Sequence, residues 1–83
     1  MRLVLDLHDI FNDSRKLDAA LNGIIEEAIE KRADYVEIIP GKGSGQLKKK
    51  VLRFLQQPHI KNLYHRVEKD SKNFGKVIVH FRS

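Results

Sequence analysis

Asp6 and His8 stand two residues apart in Leu5-Asp6-Leu7-His8, at the end of a segment whose apolar residues alternate. A strand puts such a pair on one side. A carboxylate beside an imidazole can do hydrolytic chemistry, with Asp6 as a base or divalent-metal ligand and His8 as the group that moves a proton near neutral pH. A second constellation is Pro40-Gly41-Lys42-Gly43-Ser44-Gly45, which runs into Gln46-Leu47-Lys48-Lys49-Lys50-Val51-Leu52-Arg53. Three glycines let the backbone approach a ligand closely, and a helix opening right after them offers N–H groups, flanked by lysines, to an anion. Phosphate suits such a loop. Each motif also has a plainer reading: a hydrogen-bonded Asp–His pair, and a tight strand-to-helix turn for which two glycines suffice.

Register excludes the common nucleotide signatures. A P-loop needs a glycine where Val36 stands, and a dinucleotide fingerprint needs its third glycine at Gln46 and an acid about twenty residues further on. ATP and NAD are therefore poor ligands for this loop. No cysteine is present, and His59, His65 and His80 are scattered, so no zinc spacing exists. Ser44 with His8 and Asp6 has the residue types of a nucleophilic triad, but nothing local marks a nucleophile elbow. Ser44 reads as a helix cap or a phosphate donor. Tyr35, Tyr64, Phe54, Phe74 and Phe81 form no close aromatic repeat of the kind that stacks bases.

Charge identifies which phosphate compound the loop would meet. Residues 1–37 sum to −4, residues 38–67 to +7 with no acid at all, and residues 68–83 to +2. A run of thirty residues without a carboxylate, enclosing the glycine loop, suits a polyanion better than a single small phosphate. The expected partner is DNA or RNA. Neither a membrane-spanning stretch nor the apolar centre of a signal peptide is legible, so the expected location is the cytoplasm, with no membrane partner.

The elements that must position these residues follow from periodicity. Arg2 to His8 alternates as a strand with Leu3, Leu5 and Leu7 on one face. Asp13 and Ser14 are capping residues, and Leu17, Ala20, Leu21, Ile24, Ala28 and Ile29 predict a helix over 14–32, with Gly23 costing about 1 kcal/mol relative to alanine. Tyr35 to Ile39 is a second strand. A second helix is expected from Ser44 or Gly45 to Gln57, a weaker strand over 60–67, a polar turn over 69–75 and a strong strand over 76–81. The order βαβαββ, in 83 residues read as one domain, predicts a two-layer α/β sandwich: a four-stranded mixed sheet with two helices on one face. Leu3, Leu5, Leu7, Val36, Ile38, Val77, Val79 and Phe81 should face the helices, and Arg2, Asp6, His8, Tyr35, Glu37, Ile78, His80 and Arg82 should face out. With the first two strands parallel, the glycine loop opens at the same sheet edge as Asp6 and His8, where ligands of open α/β sheets collect.

The chain resembles the small MutS-related, or Smr, domain. Leu5-Asp6-Leu7-His8-Asp9 is similar to the Leu-Asp-Leu-His-Gly sequence that closes the family's first strand, and Gly41-Lys42-Gly43 to the loop after its second. The continuation Gly43-Ser44-Gly45-Gln46-Leu47-Lys48 resembles the version at the C-terminus of MutS-like proteins. Asp9 replaces the usual glycine, Pro40 the usual threonine and Lys48 the usual arginine. The resemblance implies a fold similar to the C-terminal domain of a bacterial translation initiation factor, and binding of DNA or RNA with nicking endonuclease activity linked to DNA repair and recombination or to ribosome quality control. It makes Asp6 and His8 the candidate catalytic pair; in the mechanism expected of that pair, Asp6 holds a divalent cation such as Mg²⁺ or Mn²⁺ or orients a water. It makes Gly41, Lys42, Gly43, Ser44 and Gly45 the backbone-binding loop, with Lys48 in the arginine's place, and the basic helix adds Lys49 and Arg53 to the expected nucleic-acid-binding set. It also allows for a longer MutS-like chain of which these residues are one domain. The rival expectation is a non-catalytic module that binds RNA or the ribosome.

Overall fold

The computed structural model describes residues 1–7, 13–40, 45–70 and 76–82. Its elements are β1 (Arg2–Asp6), α1 (Ser14–Glu30), β2 (Tyr35–Ile39), α2 (Gln46–Leu55), α3 (Pro58–Lys61), β3 (Arg66–Asp70) and β4 (Lys76–His80). The four strands form one sheet in the order β1-β2-β4-β3. β1 and β2 are parallel, and β4 runs antiparallel to both β2 and β3. The fold is the expected α/β sandwich with a mixed sheet. Placing β4 inside explains its composition: Val77 and Val79 are fully buried, whereas β3, at the edge, carries Arg66, Glu68 and Lys69, charges that discourage pairing with another chain.

α1 begins where Asp13 accepts hydrogen bonds from the Arg15 and Lys16 amides at 3.0 and 3.2 Å. It ends two residues earlier than periodicity predicts, in a Schellman turn. The Ala33 amide reaches the Ala28 carbonyl and the Arg32 amide the Ile29 carbonyl, with Arg32 in the left-handed region at φ 54°. The expected pair of Lys31 with Glu27 forms at 2.9 Å. Leu17, Leu21, Ile24, Ile25 and Ala28 press onto the sheet, and Val51, Phe54 and Leu55 of α2 complete the helix layer.

The third strand corrects the sequence reading. Residues 58–61 form a helical turn, and the strand begins only at Arg66. Pro58 ends α2 but also occupies the first position of α3, where its fixed φ and missing N–H favour a helix start. Ile60, Leu63, Tyr64 and Val67 are spaced three, one and three residues apart, a helical rather than a strand period, and Ile60 is the buried anchor of the turn.

Both faces of the sheet follow the predicted alternation. Leu7, Val36, Ile38, Val77 and Val79 are buried, with Leu3, Leu5 and Phe81 packed against them. The other face is a lattice of opposite charges. Glu37 sits between Arg2 at 3.7 Å and Lys76 at 3.6 Å, Glu68 between Arg66 at 3.6 Å and His80 at 2.9 Å, and the Tyr35 ring tilts onto His80.

Candidate nucleic-acid interface

Asp6 is the last residue of β1, and its side chain is exposed. In the parallel ladder it stands opposite Ile39, the last residue of β2, and the Leu7 amide continues the ladder by donating to the Ile39 carbonyl at 2.9 Å. One residue beyond Ile39 the loop begins with the buried Pro40. Strand register therefore sets Asp6 beside Ile39, the last residue of the strand that leads into the glycine-rich segment. His8, Gly41, Lys42, Gly43 and Ser44 lie outside the described residues.

The described end of the loop is Gly45, the N-cap of α2, at φ 84°. Its carbonyl accepts from the Lys49 amide at 3.1 Å, so the helix starts without a side-chain cap. The cap role expected at Ser44 thus falls to Gly45, whose left-handed backbone favours glycine. The first amides of α2 lack carbonyl partners within the helix, which leaves partial positive charge at the loop end.

On α2 the apolar residues Leu47, Val51, Phe54 and Leu55 turn to the core, and the cations remain outside. Lys49, Lys50 and Arg53 are exposed and Lys48 is half-buried. None of the four forms an ion pair with a described residue, in contrast to Arg2, Lys31, Arg66, Lys76 and Arg82, each of which faces a carboxylate. Salt bridges thus compensate charge across the open sheet face, while α2 keeps its charge available. A polyanion is drawn to α2.

Among the described residues no three His, Asp or Glu side chains converge as a metal cluster. Asp6 offers one carboxylate, which matches the way Mg²⁺ binds, through one or two carboxylates together with substrate phosphate and water. No helix of the described residues is long and apolar enough to cross a membrane. Sequence reasoning missed Lys61, Tyr64 and Lys69, which line a groove at the far end of α2. Lys61 and Tyr64 lie in the acid-free run, which ends at Val67, whereas Lys69 follows Glu68 and had no such signal.

A mixed four-stranded sheet under a layer of helices, one of them basic and without an ion-pair partner among the described residues, defines a small α/β domain whose free positive charge suits an anionic ligand. The Smr domain profile matches residues 5–82, nearly the whole chain, and the chain belongs to the Smr family. The family implies a nucleic-acid-binding module of a kind associated with nicking endonucleases. No curated protein and no solved structure gives a significant match.

Proposed function

We propose that this Smr domain nicks the nucleic acid it binds, with Asp6 and His8 acting on a phosphodiester held by Gly41, Lys42, Gly43, Ser44 and Gly45 and by Lys48, Lys49 and Arg53. The observation that supports the reading is the pairing of Asp6 with Ile39, the end of the strand from which the chain passes through the glycine-rich segment to the basic helix α2. Loop amides and lysines hold the phosphate oxygens, on which charge grows as water attacks phosphorus. Asp6 orients the attacking water. His8 assists the proton transfer that accompanies breaking of the P–O bond to the leaving oxygen. A divalent cation held by Asp6 would supply polarisation of the phosphoryl oxygen.

Asp6→Asn keeps the size of the side chain while removing its charge and replacing one acceptor oxygen with an amide donor. It is expected to abolish nicking of supercoiled plasmid or structured RNA in Mg²⁺ or Mn²⁺ and to leave affinity nearly unchanged. Equal cleavage by both proteins would refute the assignment. Salt-dependent binding without cleavage by the wild type under any metal condition would favour a module that only binds RNA or the ribosome.

A further inference from the structure

At the end of α2 remote from the glycine loop, a groove of about 150 Å³ opens between α2, α3 and the edge strand β3. Leu52, Leu55 and Val67 give it an apolar floor, and the half-buried ring of Tyr64 forms a wall. The Tyr64 hydroxyl donates to the Leu55 carbonyl at 2.7 Å, which fixes the ring in place. Both charged residues of the lining, Lys61 and Lys69, are exposed lysines, and neither forms an ion pair with a described residue. The exposed amide of Gln56 adds a hydrogen-bond donor and acceptor.

Lys69 lies on the helix-facing side of β3, opposite Val77. An inward lysine on an edge strand discourages pairing with a second sheet, which accounts for Lys69 on its own. It does not account for Lys61 or for a pinned aromatic ring between the two. The volume is below the roughly 300–1,000 Å³ of a site for a drug-sized ligand, and is of the order that one planar ring fills.

We infer that this groove holds one unstacked nucleobase, seated on the apolar floor against Tyr64, while Lys61 and Lys69 contact the phosphates on either side of it. The inference rests on the nucleic-acid-binding reading of α2 and adds a substrate class, a strand carrying an unpaired nucleotide. Lys48, Leu52 and Gln56 follow one another at helical spacing along α2, so one stripe connects the glycine-loop end with the groove over about 12 Å. A strand whose phosphate sits at the loop reaches the groove within a few nucleotides. A base stacked within a duplex cannot enter it.

The chain has two tyrosines and no tryptophan, so in a Tyr35→Phe background Tyr64 alone reports by its emission. A short single-stranded oligonucleotide, as DNA and as RNA, and a blunt duplex of the same sequence are titrated into this protein at several salt concentrations. The single strand is expected to quench Tyr64 and the duplex to leave it unchanged. Lys61→Ala/Lys69→Ala is expected to weaken single-strand binding roughly tenfold, with duplex affinity changed much less. Saturable single-strand binding with Tyr64 emission unmoved, or equal losses on both probes, overturns the groove and leaves the nucleic-acid reading standing. Absence of salt-dependent binding to either probe overturns both.

Discussion

Gly45 and Arg32 occupy the same left-handed region of backbone space, and the side chain suits it at only one of them. At Gly45, φ 84°, an added Cβ meets nothing within 4 Å, so substitution costs conformational strain alone. Gly45→Ala is expected to lower stability by roughly 0.5–1 kcal/mol, read as a fall in Tm. Arg32 carries a Cβ at the position of the Schellman turn where glycine is favoured. Arg32→Gly is expected to raise stability by a similar amount, about 0.5–1 kcal/mol, and the contact from Arg82 survives because it ends on the Arg32 backbone oxygen. Paired thermal melts check both signs. The three glycines made a loop the expectation, and at Gly45, the one of them that is described, the left-handed backbone gives the physical reason for glycine. Arg32 was read as helical, because no side-chain type announces a left-handed arginine.

At the scale of elements, the junction of α2, α3 and β3 depends on Tyr64, whose hydroxyl satisfies a carbonyl at the C-terminus of α2. Burial raises the Tyr64 pKa above its ordinary value of 10.0 by disfavouring the phenolate. The native state thus holds this proton more tightly than the unfolded chain does. The stabilisation is fully present below the ordinary value and is lost as pH rises from there through the raised one. Urea midpoints measured across alkaline pH should fall more steeply for the wild type than for Tyr64→Phe, which begins lower because the Leu55 carbonyl loses its partner. Equal slopes would remove Tyr64 as the cause. This junction is also where the sequence reading failed, since Pro58 and the spacing of Ile60, Leu63, Tyr64 and Val67 encode a helical turn before the strand. The other elements were legible to within about two residues because each had a strong period, a cap or a following proline.

Across the whole molecule, charge is divided between two helices of one layer. α1 carries Asp18, Glu26, Glu27 and Glu30 against Arg15 and Lys16, whereas α2 carries Lys48, Lys49, Lys50 and Arg53 with no acid. A bound strand is therefore repelled from one half of the layer and held by the other. Lys49→Ala/Arg53→Ala is expected to weaken binding of every sequence alike and to flatten the dependence of log affinity on log salt by about 1.4 to 1.8, measured by titration across salt. An unchanged slope would mean that neither side chain contacts phosphate. The sequence by itself determined the family, the strand and helix periods, the core face and the acid-free run, because these are properties of neighbours along the chain. Only the tertiary structure decided that β4 lies between β2 and β3, that the sheet's outer cations are neutralised while those of α2 are not, and that Lys61, Tyr64 and Lys69 share a groove. These depend on which distant residues meet, and that is set by how the strands pair and how the helices cover them.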